Sequence, residues 1–539
     1  MSVEKILKRL NSLESTKSTW SDHWQEILDY VMPRKAEVTV NYGKGQKRTE
    51  NLFDSTAIHA NTLLAASLQG TLTSASLPWF HLKVTDENLN QRRDVAVWLE
   101  DCRNRMYKAF NSSNFNTEVH EFYLDITSIG TSCLEVEEVE ETGQMSFRSL
   151  HISEYFVTEN KRGEIDTLYR KFDYSARQAV QRWGDAVGEK VNKAYKENPD
   201  KKFSFVHCVM PSEEYEGMTK LPFVSIYIGI EDKKVVHEGG YNEMPYLVTR
   251  WSKASGEEYG RSPAYNALPD IKTLNKAVEL GLKAWAKAID PPLMVEDDGV
   301  IGRVVTKPGG LTTVRRDGAV KEMGIGARFD VSDMKETELR GSIKQAFFSD
   351  QLELQSGPQM TATEVQVRYE LMQRLLGPTL GRFQTEFLNP LIDRCFAIMQ
   401  RNEQFLPAPE VLNGIRVDIE YVGPLARSQR MEEAVAVERL YEMAGMLAQM
   451  TPEIMDNLDH DAAIRSRAEL LGVPKNILKD PMQVQAERQQ RQEQQQQMME
   501  MQQAQQATSM AAQAAPMLGA ESVESTMGGM EQIAEAVGG

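Results

Sequence analysis

The sequence predicts an α+β protein, predominantly helical, on three observations. Long stretches space their apolar residues at helical period, a block from Gly130 to Ser252 alternates by twos as strands do, and one long helical stretch stops dead at Pro291 and Pro292.

The elements follow in order. Residues 1–31 set Ile6, Leu10, Leu13, Trp20, Trp24, Ile27 and Leu28 at helical spacing, ending before Pro33. A polar, basic loop with Gly43, Lys44, Lys47 and Arg48 follows, and a second helix starts at Asp54. SASLPWFHLKV reads as a turn and short strand, and helices are expected over about 86–111 and 116–129. TSCLEVEEVEETGQMSFRSL and YFVTENKRGEIDTLYRKF each alternate around a turn, which is the pattern of a hairpin. Ser175 and Gln178 form a capping box that opens a helix to about Lys196. FSFVHCVM, FVSIYIGI, KVVHEGG and YLVTRWS are four further strands, so residues 1–255 read as a mixed α+β region.

A rod is expected from about Pro263 to Asp290. Ala264, Ala267, Ile271, Leu274, Val278, Leu282, Trp285 and Ile289 share one face, and Lys272, Lys276, Glu279, Lys283 and Lys287 a second. A third face holds only Ala277, Gly281, Ala284 and Ala288, small enough for another helix to approach closely. Two packed sides suit a helix standing between copies of itself, or one inside a large monomer.

After Pro292 a glycine-containing, β-branched stretch reads as a small β-rich excursion, and helix resumes at Ser332. Gly357 and Pro358 break the pattern, and Thr361 with Glu364 caps the longest helix, its face running from Met372 to Met399 with bends expected at Pro378 and Pro390. A strand in IRVDIEYVGPLARSQR precedes helices near 429–448 and 452–471. Residues 483–506 hold 13 Gln in 24 positions, the composition of a marginal helix that copies could bundle, and the Ala, Met and Gly tail beyond is expected to be mobile.

Composition narrows the function. The 539 residues are 41% hydrophobic, with no run of about 18 apolar residues to span a bilayer and no apolar core of a signal peptide at the start, which points to a cytoplasm and no membrane. A net charge of −17 disfavours a protein that grips DNA, yet suits a surface along which DNA slides. Cys102, Cys133, Cys208 and Cys395 lie far apart and read as buried hydrophobes. No phosphate-loop motif occurs, and no G-x-S-x-G elbow surrounds Ser132 or Cys133. His237 and Glu238 begin an H-E-x-x-H pattern that ends wrongly in Tyr241, and the Glu135, Glu137, Glu138, Glu140 and Glu141 cluster reads as the solvated edge of a hairpin rather than a metal site. Catalytic residues, metal and cofactors are therefore expected to be none.

Three segments carry a resemblance. LFDSTAIHANTLLAASLQGTLTSASLPWF, EYGRSPAYNALPDIKTLNKAVELGLKAWAKAIDPPLMVEDDG and MTATEVQVRYELMQRLLGPTLGRFQTEFLNPLIDRCF resemble, in order over roughly residues 15–430, the head-to-tail connector, or portal, proteins of short-tailed double-stranded DNA bacteriophages (podoviruses, Autographiviridae-like). The resemblance implies a ring of about twelve copies at one capsid vertex, with a central DNA channel. It implies a wing at 1–261, stem helices at 262–290 and 332–349, a clip at 291–331, a tunnel loop at 350–360, a long kinked helix returning to the wing at 361–429, crown or barrel helices at 430–506 and a flexible tail at 507–539. The implied function is genome packaging with a separate terminase, tail attachment and DNA ejection, in the virion and, during assembly, the host cytoplasm. The implied partners are further copies, double-stranded DNA, terminase, a tail adaptor, major capsid and scaffolding proteins and internal core proteins. Lys272, Lys276, Lys283, Lys287, Gln351, Gln355 and Gln359 are the expected DNA-channel residues, and Arg303, Lys307, Arg315 and Arg316 the expected clip-docking residues. The rival readings are a metal-dependent enzyme and a non-viral helical scaffold or other oligomeric structural protein.

Overall fold

The computed structural model describes residues 3–43, 45–90, 92–139, 142–215, 220–307, 310–323, 329–352, 377–412, 417–421, 424–448, 451–470, 473, 477–479 and 481–514. They form two compact units, residues 1–90 with 98–428 and residues 91–97 with 429–539.

Helix α1 (Val3–Val31) buries Ile6, Leu10, Trp24, Ile27 and Leu28, the face expected from their spacing. Next come α2 (Thr56–Leu72), strand β1 (Phe80–Val84), the short α3 (Glu87–Asn90), α4 (Arg93–Ser112) and α5 (Phe115–Ser128). Strands β2 (Thr131–Val139), β3 (Gln144–Leu150), β4 (Tyr155–Glu159) and β5 (Ile165–Ser175) realise the two expected hairpins. The Ser175–Gln178 capping box is present, but the helix expected to reach Lys196 divides into α6 (Ala176–Trp183) and α7 (Glu189–Glu197). Gly184, at φ +57°, adopts a conformation that ends α6 and that L side chains resist.

Strands β6 (Lys202–Pro211), β7 (Phe223–Gly229), β8 (Lys234–Tyr241) and β9 (Tyr246–Arg250) follow. β4 to β8 make a five-stranded antiparallel sheet in chain order, while β9 leaves it to pair with β2 in a three-stranded sheet β3-β2-β9. Alternation along β6 decides what each face of the larger sheet meets. Val206, Cys208 and Met210 pack with Ile6 and Leu10 of α1, whereas Phe203 and Phe205 pack with Ala176, Ala179, Val191 and Ala194 of α6 and α7. Lys17 fastens α1 to this sheet, its ammonium donating to the carbonyls of Ile152 and Tyr155 over the Phe156 ring. Burial pushes that ammonium down to about 7.

The glutamates of β2 correct an expectation. β2 is the central strand of its sheet; Glu135 is buried against Arg170 (2.8 Å), Glu137 lies 3.0 Å from Arg182, and Glu138 accepts from Asn402. One edge of this sheet is β3, and the start of α5 with its N-cap Asn114 closes it by mimicking a strand. The Asn114 amide accepts from Phe147 N–H (3.0 Å) and donates to its carbonyl (2.7 Å), and Glu118 accepts from Ser149 N–H (2.8 Å).

The rest of this unit holds α8 (Pro263–Ile289), strands β10 (Leu293–Val295), β11 (Val300–Ile301), β12 (Thr313–Val314) and β13 (Val320–Glu322), helix α9 (Phe329–Ala346) and the short α10 (Ser349–Leu352). The caps expected at Thr361 and Glu364 and the apolar Met372 and Leu376 lie outside the described residues. Helix resumes over 377–383, widens into a π-turn at Gln384–Leu388 and continues as α11 (Asn389–Arg401), burying Phe383, Phe387, Leu391 and Met399. The π-turn sits where Pro390 withholds an N–H from the ladder. Strand β14 (Val417–Tyr421) then pairs with β1.

The second unit is helical, with α12 (Pro424–Ala448), a turn at Pro452–Asn457, α13 (His460–Leu470) and α14 (Pro481–Ala514). Arg467 pairs with Glu438, and Arg488 with Asp461 (2.6 Å). The glutamine-rich stretch lies in α14, which continues to Ala514; residues 515–539 of the expected tail lie outside the described residues.

Two glycines let the backbone cross itself just ahead of α8. A Cβ on Gly130 (φ +92°) would fall 2.5 Å from the carbonyl carbon of Arg261, and one on Gly260 would strike the Gly130 carbonyl. Trp251 N–H donates to Gly130 O (2.9 Å), and Gly260 N–H to Thr131 Oγ1 (2.7 Å). Gly130→Ala combines positive φ with a backbone clash, so it is expected to lower stability by about 2 kcal/mol or more, read as a drop in chemical-denaturation midpoint.

Candidate functional site

The helical pair α8 and α9 with the excursion between them is the part of the fold built to reach outward. α8 starts on a fixed point. The Ser262 hydroxyl accepts from Tyr265 N–H (3.0 Å) and donates to Ser128 O (2.6 Å), with Pro263 pre-set for the first turn. Pro269 lies inside the helix, and the Thr273 hydroxyl donates to its carbonyl (2.8 Å). Ala264, Ala267, Ile271 and Leu274 are buried. The same stripe is then abandoned by its own chain, with Leu282 50%, Trp285 59% and Ile289 64% exposed.

The small-residue face is occupied within the chain at Gly281, while Ala288 near its end is exposed. α9 returns along it, and a Cβ on Gly281 would lie 3.6 Å from Glu336 Oε1. The top of the pair is clamped by the segment before α2. Asn275 Oδ1 accepts from Phe53 N–H (2.7 Å), its amide donates to Asn51 O (2.8 Å), and Arg340 of α9 donates to Asp54 (3.0 Å). Burial works to raise the Asp54 carboxyl, but hydrogen bonds from Thr56 and Arg340 outweigh it and hold it below the usual aspartate range.

The lysine face is largely compensated. Lys272 pairs with Glu26 of α1, while Lys276 (2.9 Å) and Lys283 (2.5 Å) share Glu279. Lys287 is exposed in the last turn, where its charge complements the helix dipole. Gln351 lies in α10, and Gln355 and Gln359 lie outside the described residues. In the excursion β10 pairs with β13 and β11 with β12 as nested antiparallel ladders. Arg303 and Lys307 are exposed; Arg315 lies 3.2 Å from Asp298, and Arg316 pairs with Glu296. Sequence spacing placed Glu279 among the lysines but did not show Glu26, Glu296 or Asp298 as partners.

A second cluster has the outline of a nucleophile relay. His207 Nε2 is 2.8 Å from Ser225 Oγ and its Nδ1 2.5 Å from Tyr246 OH, with Tyr227 stacked on the ring. All three are buried between strands, and burial first, then the charges of Arg170 and Arg182, holds His207 well below the usual histidine range. A substrate cannot reach this serine, so the cluster is packing rather than a catalytic centre. His237 and Glu238 lie on strand β8 rather than on the helix that a zinc motif needs. Among the described residues, no group of three or more His, Cys, Asp and Glu could hold a metal ion, and no helix is long and apolar enough to cross a membrane. The four cysteines are buried, and burial pushes the Cys102 thiol up to about 12.

The clamp has a pH signature. A carboxyl whose folded pKa is depressed contributes stability above its unfolded pKa of about 3.8 and loses it as pH falls further. Arg340→Met is therefore expected to destabilise by about 1 kcal/mol near neutral pH, the pair being partly exposed. The difference from wild type should shrink as pH falls from about 4 toward 2, measured by denaturant titration.

A family model described as the bacteriophage head to tail connecting protein matches residues 3–478. The chain is 30% identical over 504 residues to the probable portal protein of Bordetella phage BPP-1, covering 90% of both chains. It is 29% identical over 510 residues to the portal protein of Salmonella phage epsilon15, again covering 90% of both. A solved chain from the virion of a native gene transfer agent particle aligns over 80% of this chain and 94% of its own, at 14% identity and a TM-score of 0.36, too loosely to bear on function. With nearly its whole length matched, the chain belongs to the bacteriophage head to tail connecting protein family.

Proposed function

We propose that this connector works as a closed ring of about twelve copies at one capsid vertex, through which double-stranded DNA is packaged and later ejected. The observation that carries the ring is the stripe Leu282, Trp285 and Ile289 on the distal half of α8. A helix facing water needs no such stripe, and α9 packs on the small-residue side at Gly281 rather than on the stripe, so a neighbouring copy is the fitting occupant of the stripe. Family membership sets aside the non-viral scaffold.

In this reading residues 1–261 are the wing, 262–290 and 332–349 the stem, 291–331 the clip, and 350–360 the tunnel loop. Residues 361–429 return to the wing, 430–506 form the crown or barrel, and 507–539 the tail. The chain is non-enzymatic and needs no cofactor; a relay-like trio among the described residues, Ser225, His207 and Tyr246, is sealed between two sheets. A separate terminase supplies the work of packaging. A tail adaptor docks at the clip, where Arg303, Lys307, Arg315 and Arg316 are the charged candidates. Major capsid, scaffolding and internal core proteins meet the remaining surface, first in the host cytoplasm and then in the virion. Lys272, Lys276, Lys283 and Lys287 with Gln351, Gln355 and Gln359 face DNA. Because carboxylates answer three of the lysines, the wall touches phosphates weakly and lets them pass.

Negative-stain electron microscopy and mass in solution test the ring. The wild-type chain is expected to give closed rings with a central hole, and Leu282→Asp/Trp285→Asp to give folded monomers; monomers or filaments from the wild type would defeat the reading. Replacing Lys272, Lys276, Lys283 and Lys287 together by Gln is expected to leave rings intact and change packaged DNA length or ejection rate. Identical length and rate would remove these lysines from the channel.

A further inference from the structure

The outward side of α9 is left open by its own chain. Glu336 turns toward Gly281 of α8 and accepts from Ser332 (3.2 Å) and Arg340 (3.3 Å). Met334, about 200° round the helix from Glu336, is 62% exposed, and Thr337, Glu338, Gly341 and Gln345 on that side are exposed too. Gly341 is unexpected on such a face. Glycine inside a helix is unfavourable, and among the described residues nothing beyond its own helix lies within 4 Å of a Cβ built on it. The single chain makes no use of that clearance, whereas a second helix pressed against the face does.

The exposed stripe of α8 has the matching spacing. The two helices run in opposite directions, since Gly281 lies against Glu336 while Asn275 and Arg340 both reach residues 51–54. Val278, Leu282 and Trp285, at steps of four and three residues, stand level with about Gly341, Thr337 and Met334, which follow the same steps in reverse. Rotation about a ring axis does not shift a copy along that axis, so a rod lying along it meets its neighbour at its own level. The charges agree. Lys276, Lys283 and Lys287 outnumber Glu279 on the distal half of α8, whereas the α9 face carries no base and one acid, Glu338, whose exposed pairing with Lys335 (2.7 Å) holds it only weakly.

We propose that the stripe of one copy is seated on the outward face of α9 of the next, with Trp285 packed on Met334 and with Val278 and Leu282 closing over Gly341 and Thr337. The proposal rests on the reading of a closed ring with α8 along its axis, and adds which surface receives the stripe. Stripe and receiving face are different surfaces of one chain. Each copy therefore gives one and offers the other, as a closed heterologous ring requires. Gly341 sets how closely the two helices approach, and the stripe gains its burial only where that approach is close.

Disulfide trapping in assembled rings tests the seat, because the bond forms only where two Cα atoms lie within about 7 Å. The four native cysteines are buried, so the wild-type chain under mild oxidant serves as the blank. Leu282→Cys/Thr337→Cys, which leaves Trp285, Met334 and Gly341 in place, is expected to give a ladder of cross-linked copies on a denaturing gel. A mixture of Leu282→Cys chains with Thr337→Cys chains is expected to give cross-linked pairs only, and either chain alone none. Gly341→Leu, whose side chain fills space open in the single chain, is expected to keep its circular dichroism and to raise the concentration for half-assembly at least about tenfold. Rings of the double variant that give no ladder overturn the proposal and leave the ring standing, with the stripe set against another part of the neighbour. Pairs from Leu282→Cys alone overturn it by setting stripe against stripe. If the double variant does not assemble, Gly341→Leu decides, and undiminished assembly by it overturns the proposal. Wild-type chains that form no rings overturn the ring reading itself, and this proposal with it.

Discussion

The guanidinium of Arg250, 2% exposed at the end of β9, is the constraint on which the rest of the first unit depends. It pairs with Glu159 at the end of β4, donates to Gly163 O (3.1 Å) in the β4–β5 turn, and reaches Glu386 of the π-turn through Nη2 (2.6 Å). Its own backbone N–H donates to Glu386 as well (2.9 Å). Burial alone would favour loss of this charge, but hydrogen bonds and Coulomb attraction from the two carboxylates outweigh it and raise the guanidinium further. A buried charge is tolerable only when every partner is in place, so three segments distant in sequence must arrive together. The widened helical turn is part of that requirement, because it sets Glu386 beside Arg250 while Phe387 stacks on Phe122 at 4.2 Å.

From that point the geometry propagates along the chain. Trp251, next to Arg250, holds Gly130 O; the Gly130–Gly260 crossing fixes Ser262; and Ser262 caps α8. Asn275 and Arg340 then tie α8 and α9 to residues 51–54. Beyond Lys276 the ties to residues 51–54 stop, α9 accompanies the rod at Gly281, and the apolar stripe emerges into solvent. The rod is thus held at one end, which in the proposed ring presents its far end to a neighbour at a defined angle.

Local signals in the sequence were enough for most of the secondary structure. Alternation gave the hairpins of β2 to β5, the Ser175–Gln178 box gave the start of α6, and Pro291 with Pro292 gave the end of α8. What could not be read was pairing over distance. β1 takes β14 as its partner across more than 300 residues, and Glu135 finds Arg170 of a different sheet although its neighbours suggest a wet edge. Periodicity reports which face of an element is apolar, and says nothing about which segment covers it. The lysine face shows the same limit. Its spacing, Glu279 included, was plain, but Glu26 lies 246 residues from Lys272, so that one pair was invisible until the fold was known.

Charge explains why the exposed stripe lies where it does. Copies carrying −17 each repel one another, and apolar burial can hold them together only where that repulsion is locally weak. The distal half of α8 meets this condition, since Lys276 and Lys283 pair with Glu279 and Lys287 stands exposed in the last turn, beside Leu282, Trp285 and Ile289. The excursion meets it too, because its acids and bases balance. At physiological salt the Debye length is about 8 Å, so the acidic bulk of each copy is screened from its neighbour unless the two are in near contact. In the proposed ring, an acidic chain joins its copies along a rod where its charge has been relieved, and still shows passing DNA a surface that does not hold it.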